Sequence, residues 1–123
     1  MKTQMTKDEL KELLEGLGFK LIGSRFIGKA KEGSDYDYAT TDEEIYKETL
    51  KLLKKSGRVK YVQETKYKDV YQGSVVVGRK ESGTKDKLNN PVTSDGYVFD
   101  IHCVKRILPR EKQVLLYYKK HGI

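Results

Sequence analysis

The segment 19–38 holds an apolar run, a tight turn and two spaced acids in a fixed order. Residues 19–22 read as a short β-strand, and Gly23-Ser24 follows as a turn of small residues. Asp35 and Asp37 come next, inside a second β-prone segment. Because strand side chains alternate between the two faces of a sheet, both carboxylates are expected on one face, roughly 7 Å apart.

A third acid, Asp100, occurs within a later apolar run, residues 97–104. Charged side chains are rarely placed in apolar strands without a partner or a metal. If this strand lies on the same sheet, Asp100 joins the two earlier acids. Asp95 is the alternative third acid, although its surroundings, Thr93-Ser94-Asp95-Gly96, are typical of a turn.

Three carboxylates beside a turn of small residues have the composition of a site for nucleotidyl transfer. Two Mg²⁺ ions about 3.5–4 Å apart can hold the attacking and leaving oxygens of an in-line displacement. Mg²⁺ prefers oxygen ligands and takes few carboxylates, which leaves room for phosphates and water. Backbone N–H groups of Gly23 and Ser24, with the Ser24 hydroxyl, are expected to bind the β- and γ-phosphates of a nucleoside triphosphate.

The order Ile22-Gly23-Ser24, a ten-residue spacer, and Asp35-Tyr36-Asp37-Tyr38 resembles the signature of the DNA polymerase beta-like nucleotidyltransferase superfamily. The finer pattern is similar to the minimal nucleotidyltransferases, small bacterial proteins that often act as antitoxins. Four further positions match that pattern: Arg25, Gly28, Ala30 and Ser34. The apolar pair Phe26-Ile27 and the two tyrosines of the second motif depart from it, and neither departure removes a ligand.

The resemblance implies transfer of a nucleoside monophosphate, expected to be AMP from ATP, onto a hydroxyl of a protein or an RNA, with release of pyrophosphate. The implied cofactor is a pair of Mg²⁺ ions, with Mn²⁺ as a substitute. The first acceptor that it suggests is a tyrosine of a partner toxin, and the second is a tRNA 3′ end. Another nucleoside triphosphate remains open as the donor, because the sequence does not define a base pocket.

The same resemblance assigns roles to individual residues. The implied catalytic and metal-binding residues are Asp35, Asp37 and Asp100, and the implied nucleotide-binding residues are Gly23, Ser24, Arg25 and Ser34. The two acids of the Asp-x-Asp motif are expected to bridge the metals. Asp100 is expected to hold the catalytic metal and to help deprotonate the acceptor.

Several neighbouring residues allow two interpretations. His102 shares a strand face with Asp100, and a solvent-facing polar role is favoured over a proton shuttle. Lys29 and Lys31 flank the phosphate turn. A role beside the phosphates and a place on the solvated surface fit these two lysines equally well. The basic, tyrosine-containing segment 51–68 can track nucleic acid, but a solvated helix and strand edge is favoured. The polar segment 81–96 is long for a connection and is a candidate acceptor-binding lid.

Composition narrows the function classes further. The chain has 123 residues, a formal charge of +7 and a single cysteine, Cys103, which excludes an internal disulfide. A polar N-terminal segment and the lack of a long apolar run predict a cytoplasmic protein without a membrane span or a secretory signal. The positive charge favours an anionic partner. The alternative function is therefore a non-catalytic basic protein of the same fold that neutralises a partner or binds nucleic acid.

Capping signals and periodicity predict the order of helices and strands in a single domain over residues 1–123. Strands are expected at 19–24, 34–40, 58–66, 70–79 and 97–104. A helix should follow the capping box Thr6 to Glu9, a second should run from residue 41 or 42 to Ser56-Gly57 with Ile45, Thr49, Leu52 and Leu53 inward, and a third should follow Pro109 with Val114, Leu115 and Tyr118 on one face. This order predicts an α/β or α+β fold, a mixed β-sheet with helices packed mainly on one face.

Overall fold

The protein is described by a computed structural model that covers residues 5–30, 34–67, 70–77, 81–85, 91–93 and 97–122. Within these ranges the helices are α1 (Lys7–Gly16), α2 (Gly23–Phe26), α3 (Glu43–Ser56) and α4 (Arg110–His121). The strands are β1 (Lys20–Ile22), β2 (Tyr36–Thr40), β3 (Tyr61–Tyr67), β4 (Val70–Val77), β5 (Glu81–Lys85), β6 (Pro91–Thr93) and β7 (Tyr97–Cys103). The predicted order of elements is therefore confirmed from α1 to β4 and again from β7 to α4.

Five of the strands form one mixed sheet in the order β1-β2-β7-β4-β3. Strands β2 and β7 run parallel, and the other neighbouring pairs are antiparallel. Together with the helices this is an α+β architecture, as predicted. This pairing places the two acid-bearing strands side by side in the sheet.

The segment 81–96 differs from the prediction of an irregular connection. Strands β5 and β6 pair antiparallel within it and form a separate two-stranded sheet. The sequence there is polar and lacks an apolar alternation, so it carries no periodic strand signal. Asp95, the alternative third acid, lies outside the described residues, and its position is not compared with that of Asp100.

Helices α1 and α3 pack on one face of the main sheet and form the core with it. The buried helix residues are Leu10, Leu14, Tyr46, Leu50 and Leu53, and the buried sheet residues include Tyr36, Tyr38, Val75, Phe99 and Ile101. Each fully buried large apolar side chain contributes about 1.5–3 kcal/mol to folding. Strand β4 and helix α3 lie close together at Gly73, where a Cβ atom would lie 2.8 Å from Leu50 Cδ1.

Local sequence explains where these two helices begin and end. The Thr6 Oγ1 accepts from the Glu9 N–H at 3.1 Å and the Glu9 side chain accepts from the Thr6 N–H at 3.2 Å, so the predicted capping box is present. Asp42, rather than Thr41, caps α3 by accepting from two N–H groups. Gly57 ends it with a φ of 65°, a conformation that suits glycine.

Two predicted helix faces need correction. In α3 the buried stripe runs through Tyr46, Thr49, Leu50 and Leu53, whereas Leu52 is 51% exposed. In α4 no residue is buried, and Leu115 is 68% exposed. Periodicity identifies a helix correctly in both places, but adjacent apolar stripes differ by one residue, and only packing against the sheet selects between them.

Candidate active site

The register of β2 and β7 brings Asp37 and Asp100 together. The two residues are direct Cα partners on neighbouring parallel strands. Their sequence neighbours Tyr38, Phe99 and Ile101 are buried in the core with α1 and α3. Because side chains alternate along a strand, both acids lie on the opposite side of the sheet, which we call the carboxylate face.

Asp35 precedes β2 by one residue and completes the group. The residue is exposed as a whole, yet partial burial of its carboxyl group, the charge and hydrogen bond of Asp100 and the charge of Asp37 raise the pKa of Asp35 from 3.8 to about 6. The nearby Arg25 opposes this rise. A raised pKa in a cluster of like charges is the expected signature of carboxylates that are close enough to repel one another.

Two polar residues of the carboxylate face contact these acids. Ser74 Oγ donates to Asp100 Oδ1 at 2.8 Å, and its strand β4 places it opposite Asp100 in the register. His102 Nε2 lies 3.4 Å from Asp37 Oδ1, with a side chain that is 19% exposed. His102 is therefore partly exposed on the carboxylate face, and the choice between a polar surface role and a proton shuttle stays open. Ser74 is absent from the predicted site, although a hydroxyl inside an apolar strand is a signal that could have identified it.

The predicted turn lies directly against Asp37. Gly23 has a φ of 76°, and a Cβ atom there would lie 2.6 Å from Asp37 Oδ2. Ser24 follows in the first turn of α2. The Gly23 N–H donates to Gln113 Oε1 at 2.9 Å, and its predicted contact with a phosphate stays a prediction. Gln113, the single amide side chain of α4, is the second site residue that sequence reasoning does not identify.

Arg25 and Ser34 meet in the structure, but through contacts that hold the chain in place. The Arg25 guanidinium donates two hydrogen bonds to the Ser34 carbonyl, at 3.2 and 2.7 Å. It also lies over the Tyr36 ring, 3.9 Å from the ring centroid, within the range of a cation–π contact. Arg25 therefore stabilises the conformation of the segment that precedes Asp35. Its predicted contact with the nucleotide stays a prediction.

A cavity of about 430 Å³ opens beside the turn. Its polar and charged lining comes from Ser24 and Asp37 beside the turn, from Arg106, and from Gln113, Lys120 and His121 of α4. Most of the remaining lining is apolar and comes from Ile22, Ile27, Ala39, Val104, Ile107, Leu108 and Leu116. A largely apolar cavity of this size with a few polar groups has the properties of a small-molecule site.

The carboxylates fit a divalent cation by their chemistry. Carboxylate oxygens are the ligands that Mg²⁺ prefers, and a cation would neutralise the repulsion that raises the pKa of Asp35. In the described part of the chain, no group of three or more His, Cys, Asp or Glu side chains is already arranged to hold an ion. Asp37 and Asp100 are directed toward His102 and Ser74 instead.

The helical part of the basic segment 51–68 lies away from this site. It belongs to α3, which packs on the face of the sheet opposite the carboxylates. Among the described residues of the segment, Lys54 lies 3.6 Å from Glu64, and Arg58 lies 2.7 Å from Glu9. These exposed ion pairs favour the solvated-surface interpretation over a nucleic-acid track.

Of the two lysines that flank the turn, the structure describes one. The Lys29 ammonium lies 5.7 Å from the Tyr118 ring centroid, whereas Lys31 lies outside the described residues.

None of the helices resolved in the described ranges has the length and apolar character that a membrane span requires.

No family model, curated protein or solved structure matches this chain. Support for a function comes from the geometry of the carboxylates, the turn and the cavity.

Proposed function

We propose that this protein is a metal-dependent nucleotidyltransferase with the DNA polymerase beta-like fold, of the minimal, antitoxin-like type. The observation that supports this most strongly is the convergence of Asp35, Asp37 and Asp100 beside Gly23 and Ser24. Pairing of β2 with β7 brings Asp37 and Asp100, 63 positions apart in the sequence, into register. A chance Asp-x-Asp motif has no reason to be paired with a third acid and a glycine turn.

The carboxylates would hold two Mg²⁺ ions, or Mn²⁺ in their place. When bound, the ions neutralise charge on the phosphates and activate the acceptor hydroxyl. Asp35 and Asp37 would bind both ions, and Asp100 would bind one of them. Ser74 fixes the orientation of Asp100 through its hydrogen bond at 2.8 Å. His102 contacts one oxygen of Asp37 and would compete with a cation for that oxygen.

The nucleotide, ATP or another nucleoside triphosphate, would lie in the cavity that the turn and α4 line together. Its phosphates would contact the Ser24 hydroxyl and the carboxylates, and its nucleoside would extend over the apolar lining. Leu116 and Tyr117 supply apolar surface to this cavity, and Lys120 also lines it. In this arrangement the reacting phosphorus would lie near Asp37.

The acceptor would be a hydroxyl of a protein, such as a tyrosine of a partner toxin, or of an RNA end, in the cytoplasm. Positioning of two reactants contributes roughly 7–11 kcal/mol in well-oriented systems. We therefore expect slow turnover of ATP by the protein alone and a much faster reaction with the correct acceptor.

The test uses ATP labelled at the α-phosphate and, in parallel, ATP labelled at the γ-phosphate. Each is incubated with the protein, Mg²⁺ and a bacterial lysate, and labelled protein and RNA are separated. Nucleotidyl transfer moves only the α-label to the acceptor and releases the γ-label in pyrophosphate. Label on tyrosine identifies a protein acceptor, and label on tRNA identifies a terminal transferase.

The control variants are Asp37→Asn, which removes a proposed ligand, and Asp42→Asn, which lies in the cap of α3. The first should abolish transfer and the second should retain it. If neither label is transferred, while the protein still binds a partner equally well after Asp35→Ala and Asp37→Ala, the non-catalytic binding function is correct.

A further inference from the structure

Helix α4 is joined to the rest of the protein by polar contacts. None of its residues is fully buried, and Val114, Tyr117 and Tyr118 are half-buried, so directed polar contacts add to limited apolar packing. Arg110 Nη2 donates to the Ile27 carbonyl at 3.1 Å, and Gln113 accepts from the Gly23 N–H. Both contacts reach the short segment that follows β1, which contains the turn of the candidate active site.

The Gln113 side chain is held at both ends of its amide. Its Oε1 accepts from the Gly23 N–H at 2.9 Å, and its Nε2 donates to the Leu108 carbonyl at 2.9 Å. Because one end of an amide accepts and the other donates, reversing the group would lose both hydrogen bonds. The amide therefore fixes the Gly23 peptide relative to the segment that leads into α4.

The orientation of the Gly23 peptide affects two groups of the site. The Gly23 Cα lies close to Asp37, since a Cβ atom built on it would lie 2.6 Å from Asp37 Oδ2. Ser24, the next residue, carries the hydroxyl that the proposed function assigns to the nucleotide. A rotation of the Gly23 peptide would therefore displace Ser24 and change the contact with Asp37.

We propose that Gln113 is a positioning residue that sets the orientation of the Gly23-Ser24 turn from helix α4 and so determines the affinity of the site for a nucleoside triphosphate. This inference rests on the proposed function for its ligand. It links α4 to the turn, so that α4 in its docked position and a correctly oriented turn occur together.

The test compares Gln113→Met with Arg110→Met. Methionine is close to glutamine in size and removes both amide hydrogen bonds, whereas Arg110→Met removes the other contact between α4 and the segment after β1 and leaves the Gly23 N–H bonded. Three quantities are measured in each protein. They are the melting temperature, the hydrogen-exchange rate of the Gly23 amide, and the Kd for a non-hydrolysable ATP analogue with Mg²⁺; once an acceptor is known, KM and kcat are added.

The two variants should have similar melting temperatures. In Gln113→Met the Gly23 amide should exchange faster, and the Kd should rise about five- to tenfold, because the turn is no longer held in the orientation that binds the nucleotide. Arg110→Met should change neither quantity. With an acceptor, the loss in Gln113→Met should appear in KM for the nucleotide more than in kcat.

Unchanged Gly23 exchange in Gln113→Met, or an equal Kd in both variants, would overturn the proposal. A wild-type protein that binds no nucleotide gives a different result. If Gly23 exchange still accelerates in Gln113→Met, the proposed function fails and the link between α4 and the turn stands; if it does not, both fail.

Discussion

Gly23 and Asp37 lie closer together than any side chain at position 23 would permit. The positive φ of Gly23 and the 2.6 Å approach of a Cβ atom to Asp37 Oδ2 are separate requirements for glycine. Gly28, five residues later, has a similar φ of 78° but has no heavy atom within 4 Å of the corresponding position. The two glycines therefore allow the conformational and the steric requirement to be measured separately.

We predict that Gly28→Ala destabilises the protein by about 1–2 kcal/mol, the cost of a left-handed conformation in a residue with a side chain. Gly23→Ala has the same cost plus the displacement of Asp37, for a total of about 2–4 kcal/mol. Urea unfolding of both variants checks this. Equal losses would mean that Asp37 moves away freely and that the close contact has no energetic importance.

The pKa of Asp35, raised to about 6, predicts a dependence of stability on pH. The folded state binds the proton more tightly than the unfolded chain, so folding stability falls as the pH rises from about 4 through 6. We predict that Asp35→Asn in EDTA equals the wild type near pH 4 and becomes more stable than it by pH 8. Urea unfolding across this range provides the measurement, and a wild type more stable than the variant at pH 8 would show that Asp35 has a structural role.

At the scale of elements, the pairing of β2 with β7 creates the site, and α4 closes it. The strands themselves were predictable, because residues 34–40 and 97–104 have strand propensity. In each strand the acids alternate with apolar residues, so that they lie on the face opposite the core. Their adjacency was suggested by the motif and by Asp100 in an apolar run. The partners of the acids were not predictable, since Ser74 and His102 meet them only through the register.

Helix α4 shows why part of the site was missed. Pro109 and the following residues predict its start, but the apolar residues 114–118 do not indicate which side faces the protein. The structure turns Leu116 toward the cavity and leaves Leu115 68% exposed. The hydrogen bond from Gly23 to Gln113 joins residues that are 90 positions apart, a contact that local sequence patterns do not encode.

We predict that Leu116→Ala weakens binding of Mg²⁺ with a non-hydrolysable ATP analogue, because it removes apolar surface from the cavity wall. A loss of about 1 kcal/mol corresponds to a Kd about fivefold higher. Leu115→Ala is the matched control on the same helix and should bind like the wild type. Both variants should unfold within about 0.5 kcal/mol of the wild type, since neither leucine is buried. Calorimetric titration gives both affinities, and an equal effect of the two substitutions would place the nucleotide elsewhere.

In the whole molecule, the two faces of the main sheet differ in what they carry. One face forms the core with α1 and α3, whose outer side carries the basic residues of α3, and the other face carries the carboxylates. The α+β class and the mixed sheet followed from the alternation of helices and strands. The two-stranded sheet of β5 and β6 did not, because a polar segment without periodicity gives no signal. The +7 charge of the chain also left open which face an anionic partner would meet.

The proposed function requires Asp35, Asp37 and Asp100 to form a two-metal nucleotide site beside the turn. Titration with Mn²⁺ in the presence of a non-hydrolysable ATP analogue, with free Mn²⁺ followed by electron paramagnetic resonance, tests it most directly. We predict that the wild type binds two Mn²⁺ ions per chain with the nucleotide and that Asp37→Asn loses this binding, while Asp42→Asn retains it. Binding that is absent from the wild type, or unchanged in Asp37→Asn, would contradict the claim.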